Sequence, residues 1–261
     1  MTKNLQVRAL QLVIGLALLS LWEFGSRIPV IGIFPLFDPF VVSSPSQVAQ
    51  ALWRLFAAER FASHVLLTLA ATGVALVLGI GLGVVLAFVS FNFSFFCKFT
   101  EPFLQFFNTM PRVVIAPYLL MAFGTGFQPR VLMATSFIFF LVYFNVLYGL
   151  TRIQPAHRRQ VRVLGGGRWD ELVTLQLPIG FAWTVRAFPH AVAYGFVGTV
   201  FQEFVGGDSG VGSVMIYGLN ALNSATVMAT VVTLAFLGLT LFWLGNKVGE
   251  AFAPWRRELG V

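Results

Sequence analysis

The residues of this sequence that can act on another molecule are few, and most lie inside apolar stretches. Arg112 follows Pro111 and precedes Pro117, with Asn108 one turn earlier. Arg186, His190 and Tyr194 recur every four residues, the spacing that places side chains on one helical face. Glu203 comes near the end of the same apolar stretch. An ionisable group within lipid is costly and normally faces a cavity or a partner. Arg112, Arg186 and His190 therefore predict attraction of an anionic solute along a pathway, with Asn108, Tyr194 and Glu203 beside them. The competing expectation is that the arginines pair with Glu101 or Glu203, or reach lipid headgroups. Glu203 is expected to serve as an outer structural anchor.

Gly207-Asp208-Ser209-Gly210 looks like the surroundings of a serine-hydrolase nucleophile. A nucleophile needs a base within hydrogen-bond reach. The nearest candidate in sequence, His190, stands 19 positions earlier, which on a helix is about 28 Å. The segment reads as a Gly-rich outer turn, and no catalytic residue is assigned. An intramembrane serine hydrolase is one alternative reading; a self-sufficient channel or secondary transporter is the other. His64 and His157 read as interfacial residues, and no metal-ligand spacing exists. Cys97, the single cysteine, has no intramolecular disulfide partner. No G-x-x-x-x-G-K-[ST] occurs, so the chain is expected to hold no cofactor and no ATP of its own.

These groups are positioned by a chain made for lipid. Its 261 residues are 57% hydrophobic and 10% charged, with a mean hydropathy of +0.83. Soluble domains run at about 45–50% apolar and about 25% charged. A pI near 10.2 would suggest nucleic acid in a soluble protein; here the basic residues fall between apolar stretches and determine topology, so no nucleic-acid partner is expected. About 20 apolar residues are needed to cross a bilayer, and six stretches qualify: Val7 to Phe24, His64 to Ser90, Phe99 to Phe123, Val131 to Leu150, Leu177 to Val205 and Ala225 to Ala251. The fold class is all-α and polytopic. The first stretch has no small-residue cleavage site and reads as a retained helix.

With the N-terminus inside, eleven basic residues fall on the cytoplasmic side: Lys3, Arg8, Lys98, Arg152, Arg158, Arg159, Arg162, Arg168, Lys247, Arg256 and Arg257. Four fall outside: Arg27, Arg54, Arg60 and Arg130. That bias predicts both termini in the cytoplasm. Ser44-Pro45-Ser46-Gln47 predicts a capped helix start. Val48, Leu52, Leu55 and Phe56 then form one face of an amphipathic helix at the outer surface, or of an ordinary helix packed on the bundle. Residues 1–62 are expected to hold the first span and this helix, and 63–261 the core. Gly79 and Gly83 make a small-xxx-small pair that permits close helix approach.

The longest cytoplasmic connection, at about 152–177, is basic. It carries Gly165-Gly166-Gly167, then Arg168-Trp169-Asp170-Glu171, and ends at Leu177-Pro178. The pattern predicts a turn and a short amphipathic helix, with Trp169, Leu172, Val173 and Leu175 available to a soluble partner.

Here the sequence resembles the integral-membrane permeases of bacterial ABC importers, whose signature is E-A-A, three residues, G, nine residues, I-x-L-P. Gly165 takes the Gly position, Leu175 the Ile position and Leu177-Pro178 the ending; Arg159-Gln160-Val161 replaces the E-A-A triplet. Phe40 to Leu55, Pro111 to Gly126, Gln202-Glu203 with Gly210-Val211-Gly212, and Pro254-Trp255 are similar to the nitrate/sulfonate/taurine-type members. The resemblance implies a type I importer bundle of six transmembrane helices in the bacterial inner membrane. It implies a coupling element made by Arg162, Gly165, Gly166, Gly167, Arg168, Trp169, Leu172, Leu175 and Pro178, seated on an ATPase subunit dimer that holds the ATP and Mg. It further implies a second permease copy or a related permease, and a periplasmic or lipid-anchored solute-binding protein.

Overall fold

The computed structural model describes residues 2–25, 43–58 and 60–252. Arg27, the Phe40–Val42 start of the segment singled out above, Glu59 and the ending Pro254-Trp255-Arg256-Arg257 lie outside the described residues. Every described element is helical: α1 (Thr2–Gly25), α2 (Pro45–Ala58), α3 (Phe61–Asn92), α4 (Ser94–Thr109), a 3-10 turn (Arg112–Ile115), α5 (Ala116–Phe123), α6 (Phe127–Thr151), α7 (Pro155–Val163), α8 (Arg168–Glu171), a π-helical turn (Leu172–Gln176), α9 (Leu177–Gly206), α10 (Val211–Asn220) and α11 (Ser224–Phe252). The chain divides into one unit of residues 1–65 and 209–235, and another of 66–208 and 236–261.

In the first unit, α2 begins as its sequence predicts. The Ser44 hydroxyl accepts from the Gln47 N–H at 3.4 Å, and Gln47 Oε1 accepts from the Ser44 N–H at 3.3 Å, with Pro45 at the first helical position. Glu23 of α1 adds two contacts, to the Ser46 N–H at 3.0 Å and its hydroxyl at 2.9 Å. The buried face of α2 is Val48, Ala51 and Leu55, not the expected Val48, Leu52, Leu55 and Phe56. Phe56 stands 52% exposed, its ring edge-on to Phe61 at 5.0 Å. His64 Nδ1 accepts the Gly210 N–H at 2.9 Å and so fixes the start of α10.

The second unit is built around α6. Gly79 and Gly83 of α3 face it closely: a Cβ on Gly79 would lie 2.6 Å from Ile138 Cβ, and one on Gly83 3.0 Å from the Phe139 carbonyl oxygen. Across α6, a Cβ on Gly198 of α9 would lie 2.9 Å from Ala134 Cα. Small residues thus let three helices meet without driving polar groups into lipid. Ala71, Ala75, Ile138, Val142, Tyr143 and Val146 form the centre of the buried cluster.

Four described helices are long and apolar enough to cross a membrane: Gln6–Gly25, α3, α6 and α11. α9 has the length, 30 residues, but carries Arg186, His190, Gln202 and Glu203. The third expected span is not a rod. α4 and the Arg112–Phe123 segment meet at 89°, and count as a fifth crossing only if the bent pair is one span. The cause is local: Pro111 disfavours helix at Met110, and the chain runs extended through both, with ψ of 130° and 108°, before the 3-10 turn begins.

Candidate functional site

Two groups of sequence-predicted residues take shape in the second unit, and the connection at about 152–177 is the better defined. It holds two helical pieces rather than the one expected. α7 ends at Val163, and the chain reverses through Gly165, whose φ of +84° is a left-handed conformation. The Gly165 N–H donates to the Arg162 carbonyl and the Gly166 N–H to that of Val161, closing the helix end. Gly166 also lies against this carbonyl, since a Cβ there would be 2.9 Å from Val161 O. Asp170 reaches back to accept the Gly167 N–H at 2.7 Å and starts α8. Arg158 of α7 pairs with Glu171 of α8 at 3.1 Å and lies over the Phe91 ring at 4.7 Å. The reversal is therefore clamped on both sides.

The surface of this clamp is partly unlike the expected one. Trp169 is 72% exposed and Val173 is also exposed, whereas Leu175 turns inward against the buried cluster. Leu175 is six residues after Trp169, which on a helix carries it about 120° around the axis to another face. Gln176 is buried, donating to Asn92 Oδ1 at 3.2 Å and accepting from Asn92 Nδ2 at 2.9 Å, which ties the connection to the end of α3. Val163 and Leu164, which no sequence pattern marks, are the most exposed apolar residues here, at 85% and 87%. Arg162 and Arg168 are exposed, and Pro178 opens α9 within its first turn, where a missing N–H costs nothing.

The intramembrane group is also arranged. Arg112 donates to Asn108 Oδ1 at 2.9 Å, and its guanidinium lies 4.9 Å from the Phe137 ring centre and 5.1 Å from that of Phe140. Arg186, His190 and Tyr194 share one exposed face of α9, Arg186 over the Trp183 ring at 5.2 Å and His190 edge-on to Phe242 at 5.9 Å. Neither arginine forms an ion pair with Glu101 or Glu203. Glu101 accepts from Gln105, and Glu203 is buried, accepting the Thr68 hydroxyl at 2.8 and 3.0 Å. Thr72 and Thr199 stand beside it with their hydroxyl oxygens 3.0 Å apart. Two rings at about 0.5–2 kcal/mol each offset much of the at least about 2.5 kcal/mol cost of an intramembrane arginine. They do so without neutralising it.

Sequence reasoning missed Arg130. It stands in the first turn of α6, 1% exposed, and binds Asp208 at 2.6 Å. No local pattern marks such a pair, whose members are 78 residues apart. It also engages the aspartate of the nucleophile-like segment.

The model of one protein family, the binding-protein-dependent transport system inner membrane component, matches residues 79–258. The formylaminopyrimidine transport permease protein ThiX of Halalkalibacterium halodurans is 24% identical over 243 residues, covering 93% of this chain and 94% of its own length. The riboflavin transport system permease protein RibX of Chloroflexus aurantiacus is 24% identical over 238 residues, covering 91% and 87%. Among solved structures, a chain of the MetNI methionine ABC transporter in an inward-facing conformation superposes with a TM-score of 0.58 at 16% identity, covering 79% of this chain and 96% of that one. That likeness concerns the fold.

Proposed function

This chain belongs to the binding-protein-dependent transport system inner membrane component family and is an ABC importer permease; from that premise we propose that it passes a small anionic solute into the cytoplasm by alternating access. The observation that carries the choice of solute is Arg112, held by Asn108 and two rings with no carboxylate partner among the described residues. It lies beside the break in a helix, where transporters build ligand sites because irregular backbone is tolerated next to a cavity. Arg186 adds a second cation on α9, on the face it shares with His190 and Tyr194, and Arg186 to Tyr194 covers about 12 Å at 1.5 Å per residue.

The chain works in the bacterial inner membrane with both termini in the cytoplasm. A solute-binding protein delivers the solute, and a second permease copy or a related permease completes the pathway. The clamped connection of α7 and α8 seats on an ATPase subunit dimer, which holds the ATP and Mg and performs the hydrolysis. Binding energy in those subunits biases the bundle between two states, and the solute moves because it meets each state from a different side.

The test is Arg112→Gln, with Arg112→Lys as the charge-retaining control, in the complex reconstituted in proteoliposomes. Uptake and solute-stimulated ATP hydrolysis fall together in Arg112→Gln, on the order of tenfold for one lost charge-assisted contact of about 1.5 kcal/mol. Arg112→Lys retains part of both, and assembly is unchanged. Normal uptake by a stable Arg112→Gln complex rules the anion pathway out.

A further inference from the structure

The exposed surface of the cytoplasmic connection is net positive, with Arg159, Arg162 and Arg168 against the carboxylate of Asp170. Arg158 and Val161 form the inner side of α7, the first bound to Glu171 and the second under Gly166. Arg159 and Val163, one turn apart, share the outer side, and Arg162 is exposed at its edge. Leu164 continues from it, and Arg168 and Trp169 follow across the Gly165 reversal, all exposed. The two acids of the segment are engaged within it: Asp170 by the Gly167 N–H, Glu171 by Arg158. What faces a partner is an apolar projection of Val163, Leu164 and Trp169, bordered by three guanidinium groups.

We propose that the ATPase subunit receiving this connection has an apolar groove rimmed by carboxylates, and that Arg159, Arg162 and Arg168 select it by charge. This rests on the reading of the connection as the ATPase seat. Charge complementarity identifies the occupant: an apolar projection alone fits many grooves, whereas cations around it penalise any partner that presents cations of its own. Charges on such a rim act over about 8–10 Å at physiological salt, so their contribution is screened as salt rises. The apolar contact is not.

The experiment titrates the purified, labelled ATPase subunit against the permease in detergent and in neutral-lipid nanodiscs, at low and at high salt. Wild-type affinity falls with salt. Arg159→Glu/Arg162→Glu weakens binding on the order of tenfold or more at low salt and flattens the salt dependence, as expected for rim charges. The corresponding Gln pair gives a smaller loss, and Leu164→Asp weakens binding at both salt concentrations. All these side chains are exposed, so permease yield and melting temperature stay at the wild-type value. If both charge variants bind like the wild type while Leu164→Asp does not, the connection docks without electrostatic selection and the proposal fails, leaving the seat intact. If no variant alters binding, the seat itself lies elsewhere. If the charge variants bind normally in both media yet lose activity only in anionic-lipid vesicles, the arginines face the leaflet, and the proposal is again overturned.

Discussion

Gly165 offers a substitution series in which conformation and size make opposite forecasts. Its φ of +84° is a region that costs a side-chain-bearing residue about 1–2 kcal/mol, with Asn more tolerant than others. A Cβ built on it meets nothing within 4 Å, so bulk adds no steric cost. One to two kcal/mol shifts the turn between its native and open forms by roughly 5–30-fold. Gly165→Ala and Gly165→Leu should therefore lose coupling to a similar extent, about fivefold or more, while Gly165→Asn keeps most of it. Gly166→Ala should do worse than Gly165→Ala. Its Cβ would lie 2.7 Å from Val161 Cγ1 and 2.9 Å from Val161 O, and the backbone atom cannot rotate away. The measurement is solute-stimulated ATP hydrolysis by the reconstituted complex, normalised to permease in the membrane, with co-purified ATPase subunit recorded alongside. A Leu variant far worse than Ala would show that the position is sterically confined. Wild-type behaviour by all three Gly165 variants would show that the left-handed turn plays no part in coupling.

Two further outcomes are expected. Thr68→Val removes both hydroxyl contacts to buried Glu203 and should destabilise the protein by about 1.5–3 kcal/mol, with Thr68→Ser near wild type in a thermal-denaturation assay in detergent; equal melting temperatures would refute a structural role for the contact. Reporter fusions after Gly126 and Gly207 should register outside and a fusion after Gln160 inside, and an inside signal at Gly207 would overturn the orientation drawn from the basic residues.

How much the sequence discloses depends on what surrounds each residue. The Gly-Gly-Gly reversal was legible because backbone conformation demands a residue type, and only glycine takes φ of +84° freely. The α2 start was legible because its cap is local, Ser44 to Gln47. The buried face of α2 was not. Apolar size predicts burial where the outside is water, but here the outside is also apolar, so Phe56 and Trp53 are left exposed and Ala51 is enclosed. Leu175 turns inward because six residues carry it to a different helical face from Trp169, which apolar character alone does not reveal. The Arg130–Asp208 pair went unseen because an ion pair is a tertiary fact: the two residues are 78 apart in the chain. The intramembrane group was found by type and spacing, Arg186, His190 and Tyr194 falling on one face of α9, whereas the rings beneath Arg112 come from α6 and carried no sign of it.

The Thr68–Glu203 contact also sets a clock on biogenesis. Its two members are 135 residues apart. At about 5–20 residues per second, the ribosome delivers the second roughly 7–27 s after the first. Throughout that interval α3 must wait in or beside the bilayer with its Thr68 hydroxyl lacking the carboxylate it will serve, and with Gly79 and Gly83 uncovered until α6 arrives. A chain interrupted before α6 thus leaves a small-residue stripe open, and one interrupted before α9 leaves Thr68 without its carboxylate.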